Sequence, residues 1–133
     1  MLTPPEPSRR RRIRTAAAPA AIGPYSQAVL VGGTLYVSGQ IGQDPETGHL
    51  VEGDIQDETA QILDNVGAVL QEAGMGFQHV VQVSVFVRDM DDYASINEVY
   101  GRYFGGALPA REAVEVGKLP RGARLEISCI AAL

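Results

Sequence analysis

Two charged side chains near the C-terminal end have the types needed to bind and convert a small carboxylate. Arg111 follows a proline in PAREAVEV, and Glu126 lies beyond a turn in the apolar LEISCIAA. The planar guanidinium of arginine can hold a carboxylate through two parallel hydrogen bonds, and a strand would fix its angle. We therefore predict that both segments are strands and neighbours in one sheet. The pair then belongs to a site, or it is an ion pair that ties the two strands together.

The cysteine and the histidines do not suggest a catalytic centre of their own. Cys129 alternates with Leu125 and Ile127 on one side of its predicted strand, which indicates a small buried thiol. His49 lies in a turn-like DPETGH and His79 just before a strand, so both are predicted at the surface. The sequence therefore predicts no disulfide, no metal site and no nucleophile paired with a histidine.

The charge of the chain is divided unevenly. The net charge is −5, but five of the eleven basic residues are arginines within residues 9–14. From residue 15 onward, six Lys and Arg stand against fifteen Asp and Glu, which gives −9 for the body. An acidic body repels a phosphate backbone, so we expect no nucleic-acid partner. The arginine run is either a nucleic-acid-binding tail or part of a solvated extension.

The length and composition predict one folded domain with a terminal extension. The chain has 133 residues, of which 45% are hydrophobic, enough for one core. We expect residues 1–10 to form a flexible extension rich in proline and arginine, and residues 11–133 to form the domain. No apolar stretch reaches transmembrane length and no secretory region follows the arginines. We therefore expect a cytoplasmic protein with no membrane partner.

The hydrophobic pattern predicts the order β-β-β-α-β-α-β-β, an α+β fold. After a short first strand, residues 27–31 and 34–41 flank Gly32-Gly33 as a hairpin. Apolar residues recur at helical spacing over residues 54–73 and 91–104, and VVQVSVFVR (80–88) is a strand. The two helices pack on one face of the sheet. Its other face then needs a partner, and further copies of the same chain are the economical cover, so we predict a homo-oligomer.

Several separated motifs together resemble the RidA family of reactive-intermediate deaminases, also called the YjgF family. The resemblance covers roughly residue 11 to the C-terminus. It rests on GPYSQA (23–28), YVSGQI (36–41), NVGAVLQEAG (65–74), FVRDMDDY (86–93), NEVY (97–100), PAR (109–111) and LPRGARLEISCIA (119–131).

The resemblance implies an architecture and an activity. The architecture is a chorismate mutase-like fold assembled as a homotrimer, with an inner β-barrel, outer helices and three clefts between subunits. The activity is the hydrolysis of 2-imino acids, such as 2-iminobutanoate and 2-iminopropanoate, or of their enamine tautomers. The products are 2-oxo acids and ammonia, and the reaction needs neither a metal nor an organic cofactor.

The resemblance also assigns the two charged residues. Arg111 matches the arginine that binds the substrate carboxylate, and Glu126 matches an acidic residue near the attacking water. An imine carbon is already electrophilic, so the protein mainly has to hold the carboxylate and place one water. Glu126 then either acts as the general base or only positions Arg111.

Four further residues carry over as substrate-binding residues. Tyr25 matches a tyrosine that lines the cleft from a neighbouring subunit. Ser38 and Gly39 match residues at the end of the third strand that contact substrate through side chain and backbone. Asn97 matches an asparagine at the edge of the site.

The sequence departs from the family pattern directly after the arginine. The best-studied members have a small hydroxyl residue followed by Cys or Thr, whereas this chain has Glu112 and Ala113. Strand alternation places Ala113 on the side of Arg111 and Glu112 on the opposite side. We expect a wider pocket, a changed substrate preference, and a Glu112 that is solvated or paired with a cation.

Two other functions compete with imine hydrolysis. The first is a non-catalytic trimer whose clefts bind a small carboxylate as a sensor or holdase, since Arg111 serves binding as well as catalysis. The second is the endoribonuclease and translation-inhibitor activity attributed to the same family, which only the arginine run favours.

Overall fold

The computed structural model describes residues 10–133, and its elements follow the predicted order. Residues 1–9 of the predicted extension lie outside the described residues, while Arg10 is the first residue of β1. The elements are β1 (Arg10–Ile13), β2 (Ala28–Val31), β3 (Thr34–Gln40), α1 (Ile55–Glu72), β4 (Val80–Val87), α2 (Tyr93–Phe104), β5 (Ala110–Glu115) and β6 (Leu125–Ala132).

The six strands form one mixed sheet in the order β1-β2-β3-β6-β4-β5. The pair β4 and β5 is parallel because α2 carries the chain back across the sheet, and the other pairs are antiparallel. The prediction that the strands of Arg111 and Glu126 are neighbours is wrong, since β4 lies between β5 and β6. Among the described residues, no ion pair joins Arg111 to Glu126, so the strand-tying interpretation fails within one chain.

The two faces of the sheet differ sharply in burial. One face, which we call the helix face, packs under α1 and α2 and holds the core. The other, which we call the open face, leaves large apolar side chains in solvent: Val31 is 40% exposed, Tyr36 51% and Val114 47%. A single copy therefore buries one side of its sheet and leaves the other uncovered.

The first helix begins and ends where local chemistry requires. Asp54 accepts from the backbone N–H of Asp57, and the Asp57 side chain accepts from the backbone N–H of Asp54, which satisfies two otherwise unpaired donors. The backbone hydrogen bond from Asp57 lowers the pKa of Asp54. Gly74, at φ +76°, follows the last turn in a conformation that glycine adopts without strain.

Within residues 10–133, neither helix combines the length and apolar character that would let it cross a bilayer.

Candidate functional site

Four of the predicted site residues line one cavity. Tyr25, Ser38, Gly39 and Glu126 surround a space of about 570 Å³ between the loop before β2, the end of β3 and the start of β6. The cavity has both apolar walls, such as Ile22, and polar groups. This arrangement suits a small organic ligand that carries one or two polar groups.

An irregularity at the end of β3 places two of these residues. The pairing of β3 with β6 shifts register between Val37 and Gln40, so Ser38 and Gly39 bulge from the ladder. The Ser38 hydroxyl donates to the carbonyl of Ser26 at 2.6 Å. A Cβ at Gly39 would lie 2.7 Å from Cδ of Glu126. Position 39 therefore needs glycine for the carboxylate to lie against the backbone.

The loop that carries Tyr25 is held by a buried glutamine that sequence reasoning missed. Gln27 is 4% exposed, accepts from the backbone N–H of Thr15 at 2.8 Å, and donates to the carbonyls of Thr15 at 3.0 Å and Pro19 at 2.8 Å. A proline-punctuated segment cannot satisfy its own backbone groups as a helix does. One amide side chain closes the loop instead and leaves Tyr25 half exposed at the cavity rim.

A second buried group holds the start of β6, which carries Glu126. The Glu58 carboxylate accepts from the backbone N–H of Arg124 at 2.8 Å, from that of Leu125 at 3.2 Å, and from the Arg124 guanidinium at 2.8 Å. Glu58 lies on α1 and is 4% exposed. The two residues before Glu126 are therefore tied to the first helix.

The Glu126 carboxyl is partly buried, which changes its acidity. Burial raises the pKa of its carboxyl above the ordinary value of 4.5. A carboxylate with a raised pKa is a stronger base once it is ionised, which is the property that a proton acceptor in hydrolysis requires.

Arg111 lies in a different cluster, between β5 and α2. Its Nη2 donates to the hydroxyl of Tyr93 at 2.6 Å, and its guanidinium carbon lies 4.6 Å from the ring centre of Tyr100 and 5.2 Å from that of Tyr93. Both tyrosines lie on α2, and Tyr100 is also part of the hydrophobic core. Tyr93 and Tyr100 are seven residues apart, so they lie on the same side of α2. Two tyrosines on one side of a helix, together with an arginine on a neighbouring strand, were the sequence signal for this cluster.

The same face of α2 carries Asn97. Its Oδ1 is buried with no hydrogen-bond partner among the described residues, and so is the hydroxyl of Tyr100. Burial raises the pKa of Tyr100, and the guanidinium of Arg111 partly counters that shift. Buried polar atoms in proteins are usually hydrogen-bonded, so these two atoms on one face of α2 are candidates for contacts with a ligand.

The two clusters lie on opposite faces of the sheet. Arg111 is opposite Val83, which in turn is opposite the buried Cys129, so it points to the helix face. Glu126 is opposite Phe86, on the open face. One chain therefore brings Tyr25, Ser38, Gly39 and Glu126 together in one cavity. It places Asn97 on the face of α2 whose tyrosines contact Arg111, but it does not unite the two groups.

The surroundings of Cys129, His49 and His79 are typical of residues with a structural role. Cys129 is buried as predicted, and burial raises the pKa of its thiol to about 12. His49 is exposed, whereas His79 is half-buried, and its Nδ1 accepts from the backbone N–H of Gly76 at 3.0 Å. Over residues 10–133, no three His, Cys, Asp or Glu side chains cluster in a way that could hold a metal ion.

Comparison with known proteins shows the family of the chain. The family described as endoribonuclease L-PSP matches residues 15–133, which is most of the chain. It is the same family, RidA or YjgF, that the motifs resemble. The chain belongs to it.

Relatives of this RidA-family chain are similar over nearly their whole length. A 2-iminobutanoate/2-iminopropanoate deaminase of Mus musculus is 52% identical, over 92% of this chain and 90% of the relative. A crystal structure of a Thermotoga maritima protein described as an endoribonuclease has 50% identity and a TM-score of 0.91, covering 92% of this chain and 97% of that one. The structure of E. coli TdcF with bound serine has 40% identity and a TM-score of 0.88, covering 92% and 98%.

Proposed function

We propose that this RidA-family protein hydrolyses small 2-imino acids and their enamine tautomers to 2-oxo acids and ammonia. The observation that carries the proposal is the presence of two complementary groups of side chains, a cation held between tyrosines and a carboxylate of raised pKa in a cavity. Relatives at about half identity are named 2-iminobutanoate/2-iminopropanoate deaminases. The bound serine of the E. coli neighbour is likewise a small amino acid with one carboxylate.

The working site is then a cleft between two copies of the chain. Arg111 with Asn97 supplies one wall, and Tyr25, Ser38, Gly39 and Glu126 of the next copy supply the other. The separation of these groups in a single chain supports this arrangement. So does the open sheet face with its exposed Tyr36. Three copies that turn their open faces inward would enclose a β-barrel and form three clefts, as in a chorismate mutase-like trimer.

Binding begins with the substrate carboxylate. The fork of Arg111 is held at a fixed angle by Tyr93 and by the ring of Tyr100, so it loses little freedom when it takes two carboxylate oxygens. The buried Oδ1 of Asn97 accepts a hydrogen bond from the protonated imine or enamine nitrogen. Both contacts orient the C=N carbon toward the opposite wall.

Hydrolysis needs one water and one proton acceptor. The Glu126 carboxylate takes a proton from water as the oxygen adds to the C=N carbon, and the nitrogen becomes an amine. Glu126 then returns a proton to that amine, which leaves as ammonia. As the C–N bond breaks, the carbinol hydroxyl gives its proton back to the Glu126 carboxylate and its oxygen becomes the 2-oxo group. Ser38 and the backbone at Gly39 hold the water next to the C=N carbon. Tyr25 closes the cleft against solvent.

A trapping assay tests the proposed function. Threonine dehydratase generates 2-iminobutanoate in the cuvette, and semicarbazide traps what has not been hydrolysed. We expect the wild-type protein to lower the rate of semicarbazone formation in proportion to its concentration. A parallel titration with 2-oxobutanoate measures binding without turnover. Saturable binding with no effect on trapping, for this imine and for several amino-acid-oxidase imines, would replace catalysis with the carboxylate-binding function.

The proposal for Glu126 predicts a displaced pH profile. Its carboxyl must be ionised to accept a proton, and its pKa is raised above 4.5 by burial. We therefore expect kcat/KM to fall with decreasing pH at a midpoint above 4.5, with an acid limb that is absent from Glu126→Gln. An unchanged limb in that variant would assign the titration to another group.

The same shift has a consequence for stability. Because the folded-state pKa exceeds the unfolded value, ionised Glu126 opposes folding at neutral pH, and the penalty disappears as the pH falls below about 4.5. Glu126→Gln is therefore expected to raise the Tm at pH 7 and to leave it unchanged in acid. A lower Tm at pH 7 would show that the carboxylate stabilises the fold.

The cytoplasmic location and the absence of a cofactor stay predictions.

A further inference from the structure

The open face of the sheet has opposite charges at its two ends. Arg10 and Arg12 of β1 project from it at one end, since Arg12 is opposite Val29, which is opposite the exposed Tyr36. Glu112 of β5 projects from the same face at the other end, where it is opposite Ser84. The strands with these charges are the two outermost strands of the sheet.

Both charges are available to an outside partner. Glu112 is exposed and accepts from the Ser84 hydroxyl at 2.8 Å. Arg12 is exposed and donates from Nε to the Ser26 hydroxyl at 2.8 Å, which holds the guanidinium over the sheet. In the part of the chain that the structure describes, no carboxylate pairs with Arg10 or Arg12 and no cation pairs with Glu112.

The composite site fixes how one copy must meet the next. If Arg111 of one copy faces the cavity of Glu126 in another, then β5 lies in the contact between the copies. Glu112 is also in that contact, with its side chain on the opposite face of β5. A second cavity, of about 620 Å³, adjoins the first and shares Tyr25 and Ser38 with it. Arg10 and Arg12 line this second cavity. Consecutive residues of β5 therefore match adjacent cavities of the neighbouring copy.

We propose that copies of this chain meet head to tail, with Glu112 on β5 of one copy paired against Arg12 on β1 of the next. The occupant of the open face is thus a second copy of the same chain. The inference rests on the proposed function for its composite cleft. The apolar side chains between the charged ends, Val31, Tyr36 and Val114, supply the buried area, and the charges set the direction and register.

This pairing explains the departure of the sequence after Arg111. A carboxylate at position 112 inside a subunit contact would be costly without a cation. Arg12 supplies that cation from the strand that reaches the same face. A head-to-tail contact repeats its direction at each step, and it closes into a ring when the rotation per step is a whole fraction of a turn, as in the proposed trimer.

Charge reversal and charge exchange test the pairing. The variants are Glu112→Arg, Arg12→Glu and the combined exchange, and the controls are Glu72→Arg on α1 and Arg102→Glu on α2, which make the same charge changes at exposed helix positions. Sedimentation velocity over a concentration series measures self-association, and circular dichroism checks the fold. We expect each single reversal to weaken self-association at least about tenfold, because it places two like charges against each other across the contact.

The combined exchange is the decisive variant. It restores opposite charges at the same two positions, so association should return to near the wild-type level, while both controls stay unchanged. If the exchange is no better than the worse single reversal, or if the single reversals have no effect, the pairing is overturned. Imine trapping on the same samples separates the two proposals. If the combined exchange restores association but the wild type does not hydrolyse the imine, the proposed function alone is refuted.

Discussion

Replacement of Arg111 by alanine is expected to lower kcat/KM for 2-iminobutanoate about 10²-fold or more. The guanidinium is proposed to make two charge-assisted hydrogen bonds to the substrate carboxylate, and two such bonds are worth about 3 kcal/mol or more. At about 1.4 kcal/mol per factor of ten, the loss is about 10²-fold. The imine-trapping assay at low substrate concentration measures it directly.

Two further variants identify the cause of that loss. Arg111→Lys keeps the charge but not the fork, so we expect an intermediate loss of about tenfold. Tyr93→Phe removes the hydroxyl that holds Nη2 and should cost less than either, mostly in KM. Sedimentation of each variant shows whether the assembly persists. An Arg111→Ala protein that assembles and keeps full kcat/KM would remove Arg111 from the site.

The local structure could be read from the sequence because it depends on neighbouring residues. The Gly32-Gly33 turn, at φ +54° and +85°, joins β2 and β3 as predicted. The first helix was expected over residues 54–73 and runs over Ile55–Glu72, between the Asp54 cap and Gly74. The second starts at Tyr93 rather than 91, because residues Met90–Asp92 form a separate 3₁₀ turn held by the Asp89 side chain.

The strand order could not be read in the same way. A turn between two strands suggests that they pair, which is why β5 and β6 were expected to be neighbours. The observed sheet places β6 in its centre, where every second side chain from Leu125 to Ala131 is buried. The parallel pairing of β5 with β4 depends on where α2 packs, which is a tertiary property.

The same limit applies to the site. The residue types of Arg111 and Glu126 suggested a role in binding or chemistry, but the sheet face on which each side chain lies follows from the pairing of the strands. The supporting residues were missed because an ordinary interpretation was available for each of them. Gln27 and Glu58 are polar residues beside apolar ones, and only the structure shows that both are buried and hold backbone groups.

Mixed assemblies of two inactive variants should recover activity if the site is shared between copies. Arg111→Ala damages one wall and Glu126→Gln the other, and each alone is expected to retain about 1% of wild-type activity. When equal amounts are unfolded and refolded together, about one quarter of the clefts in random rings receive both intact walls. The expected recovery is therefore to about one quarter of the wild-type rate per chain.

The controls make this recovery specific to a shared site. The same two variants mixed without unfolding should stay inactive if the copies do not exchange, and the double variant refolded with either single variant should also stay inactive. If both walls belonged to one chain, every chain in the mixture would carry a damaged site, and refolding would restore nothing. A recovery near zero in rings shown by sedimentation to contain both variants would therefore place the chemistry within a single copy, which the opposite faces of Arg111 and Glu126 argue against.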